Sequence, residues 1–434
     1  MKRKPGLRLR LLTCSILVLF FIVCTVPLQA ASDRGFTKVT LENGLKVMYK
    51  VMKGQPRTSI NAVFPIGMNG EKEKGIAHLL EHLVFRGGAG YNFNDIAGIT
   101  VRGGGYFGGF TYITATSYSY VIPNDKLMTA LKIFNGSVWN TDTSETSIAL
   151  EKKIVLHELD MGYSERYEYY PLFHYLLPEF SYNADTIARI TQADLQEFHR
   201  TYYQAANATY IIAGDFDPKP LLAELATIGN SYGQGGIVKP EVRQFDLPTE
   251  DIEESRNLYP YQYQLMLAYQ FDKMPEKDRA VLKLLSQIYG VDYKINYERN
   301  EYNFYNVFYR HLGDTDYFSI YYREQNQPFD PEQLKQKKAT MLKYFREFKK
   351  INLKQAQENL EQVVELEEAQ SEGSSVDAAQ YEINRLIDPD FITPDTFSLM
   401  KKITVKDLER VIDQYFKEPP RTWILVKNTK SGGK

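Results

Sequence analysis

Cysteine is nearly absent from this chain. Of 434 residues only Cys14 and Cys24 are cysteine, and both lie in the first thirty positions. Past that point no thiol is present to act as nucleophile, to ligate a metal or to close a disulfide. A chain of this length has core enough to fold without disulfides, even outside the cytoplasm. Histidine is scarce too, at 6 residues. No surplus of basic charge compensates. Residues 1–30 carry five positive charges and no negative one, so the remainder holds 47 basic against 54 acidic residues, a net of −7. A nucleic-acid partner calls for a concentrated basic face and is not expected. Disorder is not expected either, since 43% of the residues are hydrophobic and 24% charged, as in packed globular proteins.

The first thirty residues have their own character. Lys2, Arg3, Lys4, Arg8 and Arg10 form a basic head, Leu11 to Val26 is an uncharged apolar run, and Pro27-Leu28-Gln29-Ala30 ends on a small residue. That order is the plan of a secretory signal peptide. The run is short for a spanning helix, which needs ~20 apolar residues. Residues 1–30 are therefore expected to direct export to a periplasm or the exterior and to be removed. If they stay, residues 11–28 would anchor the chain to a membrane. Cys24 is not followed by a convincing mature start and is not read as a lipid-attachment site.

From Phe36 onward the pattern mixes strands and helices. Asn43-Gly44 between two alternating runs signals a hairpin. Ser59–Phe64 reads as a third strand, and a helix is expected over Ile76–Phe85. The Gly-rich stretch "VRGGGYFGGF" runs into a stretch where Thr111, Ile113, Ala115 and Ser117 alternate with Tyr112, Thr114, Thr116 and Tyr118, which predicts one strand. Helical periodicity returns at Asp125–Phe134 and Thr146–Asp160. Thr191 is a good N-cap for a helix that leads into the strand "ATYIIAGDFD".

Residues 229–248, rich in Gly and Pro, read as a linker. Beyond it come a strand near Gln262–Tyr269, a helix at Lys277–Tyr289, a strand at Tyr317–Tyr322 and long helices at Pro331–Asn352 and Leu353–Gln370. The ending "ITVKDLERVIDQYF" plus "TWILVK" parallels "ITQADLQEFHRTYY" plus "ATYIIAG" in the first half. One plan used twice, in halves of about 200 residues, suggests a duplicated domain. The expected division is a signal peptide at 1–30, an N-terminal domain at 31–235 and a homologous C-terminal domain at 236–434.

Two of the few histidines sit in "GIAHLLEHLVFRG". On a helix, positions i and i+4 share a face, so His78 and His82 can point at one atom. Imidazole suits Zn²⁺, and catalytic zinc commonly takes three protein ligands. Glu81 lies beside that face, where its carboxylate can take a proton from water instead of binding the metal. His-x-x-Glu-His is the pattern of the inverted zincins. A third ligand should be acidic or histidine and come from another element. The helix "SIALEKKIVLHELDMG" offers Glu151 and Glu158, two turns apart on one face. His157 points about 100° away from Glu158 and reads as structural or solvated.

Taken together, "TLENGLKV", "GIAHLLEHLVFRG", "ALEKKIVLHEL", "ITQADLQEFHRTYY" and "YIIAGDFD" resemble, in order, the blocks of the pitrilysin/insulysin zinc peptidases. The size and two halves are most similar to the shorter, processing-peptidase-like branch. The resemblance implies an α+β fold of two homologous domains, each a mostly antiparallel mixed sheet packed with helices, together forming a half clam-shell. It implies one zinc ion per chain held by His78, His82 and Glu158, with Glu81 as general base and Glu151 as a supporting carboxylate.

It further implies that the Gly-rich edge strand, here Gly108, Gly109, Phe110 and Thr111, pairs with the substrate. Gly108 and Gly109 stand where the family has Asn and Ala, and the missing Asn bears on substrate affinity or turnover, not on metal binding. Arg310 and Tyr317 match the family's Arg-x6-Tyr element, whose donors reach the substrate carbonyl.

The 32 tyrosines, dense in "YSERYEYYPLFHY" and "YKINYERNEYNFYNVFY", are given no site, and "AQENLEQVVELEEAQSEGSS" reads as a solvated helix face. The expected function is an exported zinc metallopeptidase that hydrolyses peptides or unfolded protein segments, with Glu81 activating the attacking water. It would work as a homodimer or as a heterodimer with a related chain. The alternative is a non-catalytic zinc-binding member that serves as a peptide-binding or assembly subunit.

Overall fold

At Gly44 the backbone takes a left-handed φ of 86°, and the chain reverses from β1 (Thr37–Thr40) into β2 (Lys46–Val51). Asn43 secures this hairpin by donating its side-chain amide to the carbonyls of Leu225 and Ile228, at 3.0 and 2.8 Å. The computed structural model describes residues 35–165, 182–228, 238, 240, 246–256, 262–289, 305–324, 327–347, 351–388 and 391–429. The apolar leader, most of the 229–248 linker and most of both tyrosine-dense stretches lie outside them. Among the described residues no helix is long and apolar enough to cross a membrane.

The first half continues with β3 (Arg57–Phe64), α1 (Ile76–Val84), the short pair β4 (Gly87–Gly88) and β5 (Tyr91–Asn92), and α2 (Phe93–Ile99). Then come β6 (Tyr106–Thr111), β7 (Thr116–Pro123), α3 (Leu127–Trp139), α4 (Glu145–Glu165), α5 (Ala184–Arg189), α6 (Gln192–Tyr202), β8 (Thr209–Gly214) and α7 (Pro218–Leu225). The second half holds β9 (Ile252–Arg256), β10 (Tyr263–Asp272), α8 (Glu276–Tyr289), β11 (Tyr305–Leu312) and β12 (Thr315–Glu324). It ends with α9 (Pro331–Glu347), α10 (Leu353–Ser371), α11 (Ser375–Ile387), α12 (Pro394–Met400), α13 (Val405–Tyr415) and β13 (Thr422–Asn428).

The duplicated plan is visible strand by strand. The first sheet runs β1-β2-β8-β3-β7-β6, the second β11-β12-β10-β13-β9. Read from its far edge, the second repeats the first without β1. Among the described strands each sheet has one parallel pairing, β2 with β8 and β9 with β13, and the other pairings are antiparallel. The fold is thus α+β, in two halves of mixed, mostly antiparallel sheet packed with helices.

One face of β3 carries Ile60, Ala62 and Phe64 into the main core of the first half. On the other face its polar Asn61 is buried but satisfied, donating to the Ile211 carbonyl at 2.9 Å and accepting from Ser119 at 2.6 Å. Thr191 caps α6 as its sequence predicts, accepting from the Asp194 N–H while Asp194 reaches back.

Two expectations change. The alternation from Thr111 to Tyr118 is not one strand but the end of β6, a turn, and the start of β7. Tyr112 and Ala115 close the turn with a 2.7 Å backbone bond, and the Met68 N–H donates to the Tyr112 carbonyl. Residue alternation continues through a tight hairpin, so periodicity alone cannot detect the reversal.

The second change is α11, which the sequence reading did not anticipate. It comes from the second half yet lies on the first sheet, where Ala378, Ala379, Ile383 and Ile387 pack on Met48, Val63, Ile211 and Ala213. The two alanines let the helix approach closely, and each buried isoleucine contributes roughly 1.5–3 kcal/mol. Ser375 donates to the Arg57 carbonyl and Lys50 pairs with Glu372 at the same seam. A helix of the second half thus fastens onto the sheet of the first.

Candidate metal centre

Helix α1 begins in an unusual way. Its N-cap, Gly75, has φ of 88° and offers no side chain to the first turn. The missing cap comes from upstream: Glu71, almost completely buried, accepts the N–H of Gly75 and of Ala77, each at 2.8 Å. Burial pushes the Glu71 carboxyl up to about 8, although those two backbone donors pull it down.

The sign of its pH effect follows. An unfolded glutamate titrates near about 4.3, so the folded chain holds this proton to higher pH than the unfolded one. The associated stability is complete below about pH 4.3 and is lost as pH rises through about 8. Metal-free Glu71→Gln is expected to show a smaller drop in melting temperature between pH 5 and pH 9 than the metal-free wild type. Equal drops in the two proteins would refute this.

Ile76, Ala77, Leu79, Leu80, Leu83 and Val84 anchor α1 in the core. What remains is a face with His78, Glu81 and His82. Helix α4, held in the same core by Ile148, Val155 and Leu159, presents Glu151 and Glu158 two turns apart.

The ring atoms have distinct assignments. His82 Nδ1 is 2.9 Å from Glu151 Oε2, and His78 Nδ1 is 2.5 Å from the Tyr182 hydroxyl. Both Nε2 atoms are thereby turned to Glu158 Oε2, at 3.7 Å from His78 and 3.3 Å from His82. The three donor atoms lie within 4.8 Å of one another. Two ligands about 2.1 Å from one ion, at tetrahedral angles, are about 3.4 Å apart. Two neutral imidazoles and a carboxylate at this spacing fit a Zn²⁺ ion with one position left open.

Glu151 is almost wholly buried and is also paired with Arg86, whose guanidinium lies 5.5 Å from the Phe93 ring centre. Burial lowers His78 to about 3, helped by the charge of His82 beside it, so its ring is neutral at physiological pH as a metal ligand must be. Burial also pulls His82 down, but the Glu151 hydrogen bond and the charges of Glu158 and Glu81 outweigh it and leave it raised.

Glu81 stands apart from the ligand set. Burial raises it to about 7, against the pull of Thr111 and His82, and its Oε2 accepts the Thr111 hydroxyl at 2.7 Å. A carboxylate beside the donor cluster, free of the metal ligands' own positions, is placed for proton transfer.

Strand β6 is a sheet edge beside this group. Its two central glycines differ. A Cβ on Gly108 would meet open space, whereas one on Gly109 would come within 2.8 Å of Glu81 Cγ and Oε1 and 2.9 Å of Phe85. Phe110 is exposed and lies against the Tyr112 ring at 4.2 Å. Thr111 turns its hydroxyl to Glu81.

Arg310 and Tyr317 face each other across the β11–β12 hairpin. Tyr317 is buried in a small cluster that meets Met68 and Ile113, next to the turn after β6. Arg310 is 4.0 Å from Asp388. His157 is exposed. Sequence reasoning missed Glu71 and Tyr182. The only local hint for the latter is its place just before Asn183, which caps α5.

A family model described as Insulinase (Peptidase family M16) matches residues 47–189, and one described as Peptidase M16 inactive domain matches residues 189–364. The first stretch contains every residue of the cluster. The zinc protease PqqE of Helicobacter pylori is 24% identical over 275 residues, 58% of this chain and 60% of that protein. The chain spans from about a fifth to three-fifths of the length of the curated relatives it matches. The crystal structure of a protease from H. pylori aligns with a TM-score of 0.71 at 20% identity, covering 90% of this chain and 99% of that one. The periplasmic protease PqqL from Escherichia coli aligns at 0.62 with 16% identity, over 92% of this chain and 48% of that one.

Proposed function

We propose that this chain, which belongs to the insulinase family of peptidases (peptidase family M16), is an exported zinc endopeptidase acting on extended peptides or unfolded protein segments. Support comes above all from the pair of Nε2 atoms turned to Glu158 with the Glu81 carboxylate beside them. His78, His82 and Glu158 would hold the ion. Zinc bound there would polarise a peptide carbonyl and acidify water.

The remaining steps belong to the chain. Glu81 removes a proton from water as the water oxygen bonds to the carbonyl carbon. It then delivers that proton to the amide nitrogen as the C–N bond breaks. Thr111 holds Glu81 in place through both transfers. The open edge of β6, through Gly108, Gly109 and Phe110, would pair with the substrate backbone as an added strand. Arg310 and Tyr317 would contact the substrate from the second half.

Within this reading residues 1–30 direct export, 31–235 supply the chemistry and 236–434 contribute to binding. A second copy or a related chain would complete the enclosure, and gel filtration tests that pairing. The reading is tested by incubating the full-length mature chain with a mixed peptide library. Cleavage should stop with a chelator and return with zinc. Zinc uptake without cleavage, in the presence of any chain it pairs with, would favour a binding or assembly subunit.

Glu151 orients His82 and neutralises Arg86. Glu151→Gln keeps the shape but removes the charge, so zinc affinity is expected to fall about 10- to 100-fold. Competition with a fluorescent chelator measures it. Unaltered affinity would mean that Glu151 serves the fold alone.

A further inference from the structure

The two histidines have unlike partners. His82 Nδ1 meets a carboxylate, and His78 Nδ1 meets the phenol of Tyr182. A carboxylate only accepts hydrogen bonds, so His82 must carry its proton on Nδ1 whether or not a metal is present. Nε2 is then the ring nitrogen left to face Glu158 and a metal. A phenol both donates and accepts. His78 is therefore held in place without having its tautomer fixed.

Tyr182 is built into its position. It immediately precedes Asn183, whose side chain accepts the Thr186 N–H at the start of α5, with Thr186 reaching back to the Asn183 N–H. Its ring occupies the space above Gly75, where a Cβ would come within 3.0 Å of it, and Ile187 closes in from the same helix at 2.5 Å. The phenol thus sits over the first turn of α1, and its ring centre lies 5.6 Å from that of His78. A side chain at residue 75 would crowd the ring that meets His78.

We propose that Tyr182 is a positioning residue for the metal site, and that it makes His78 the adaptable ligand and leaves His82 the fixed one. This rests on the zinc reading above. Without metal, Tyr182 O–H donates to His78 Nδ1, and the ring proton sits on Nε2, on the side of Glu158. Binding through Nε2 requires that proton to leave. One proton departs from Nε2 and one joins Nδ1, so the ring stays neutral, and the phenol oxygen becomes the acceptor while Tyr182 keeps its own proton. The same contact serves both states, holding the ring plane in each.

Histidine-selective ¹⁵N labelling tests this directly, because few signals arise from 6 histidines. Peaks are assigned by their loss in His78→Gln and His82→Gln. Metal-free wild type should show His82 with its proton on Nδ1 and His78 with its proton on Nε2. Zinc-loaded wild type should show Nδ1–H on both. In Tyr182→Phe, which keeps the ring over Gly75, zinc affinity by chelator competition should fall by about 10-fold, the low end expected for an outer partner. The His78 Nδ1–H signal of the loaded variant should also exchange away faster.

Tyr182→Leu, which removes the ring too, should bind zinc like Tyr182→Phe but melt at a lower temperature in the metal-free state. That separates the hydroxyl from the packing. Wild-type zinc affinity in Tyr182→Phe, or identical His78 and His82 tautomers in the metal-free wild type, overturns the proposal. A wild-type chain that takes up no zinc overturns the metal reading itself, and this proposal with it.

Discussion

Glu81→Gln is expected to bind zinc within about threefold of wild type and to cleave peptides about 10²- to 10⁴-fold more slowly, the span that general acid–base catalysis supplies. The amide keeps the volume of the carboxylate in a buried site and can still accept the Thr111 hydroxyl. It cannot take a proton from water. None of the three donor atoms facing the ion site belongs to Glu81, so metal content should hold while turnover collapses. Metal analysis and kcat/KM on a fluorogenic peptide, run on the same preparation, give both numbers. Undiminished cleavage by the variant would remove Glu81 from the chemistry.

The second large effect concerns a residue with no side chain. Gly109→Val should keep its zinc and lose about 100-fold in kcat/KM. A Cβ at position 109 would lie 2.8 Å from both Cγ and Oε1 of Glu81. Carbon atoms prefer separations of about 3.5–4.0 Å, so the carboxylate or the strand must shift. Displacing a catalytic group by about 1 Å can cost about 10² in rate.

Gly108→Val is the control, since nothing lies within 4 Å of a Cβ there. It should fold normally, take up zinc and leave Glu81 in place. If both variants lose activity equally, the cause lies in the strand edge they share, and the contact with Glu81 is not limiting. The open space at Gly108 also means that packing around its Cβ does not force a glycine there.

Much of the centre could be read along the chain because its spacing is local. A helix repeats about every 3.6 residues, so His78 with His82, and Glu151 with Glu158, each declare a shared face without knowledge of the rest of the fold. The repeat of "ITQADLQEFHRTYY" in "ITVKDLERVIDQYF" likewise announced two halves, and the matching strand orders of the two sheets express it. Thr191 and Thr404 cap equivalent helices in the same way.

Other features left no such trace. The reversal at Tyr112–Ala115 hides in an unbroken alternation, because a tight hairpin preserves the period. Helix α11 has an ordinary amphipathic pattern, and nothing in it tells that its apolar face covers the sheet of the other half. Thr111 reads as a strand residue facing substrate, yet its hydroxyl is directed at Glu81.

By itself, then, the sequence determined the candidate ligands, their helical registers, the neutral-to-acidic charge balance and the doubled plan. These are properties of neighbours a turn or a strand apart, or of composition. Tertiary structure alone decided that α4 brings Glu158 to His78 and His82, that Glu71 caps α1 from outside it, and that Tyr182 stands behind His78. The contacts of Glu158 and Tyr182 join residues whose separation along the chain carries no period, and the Glu71 cap, though local, needs the left-handed turn at Gly75. Only the packing of α1 against α4, α6 and the edge of the sheet sets which side chains meet.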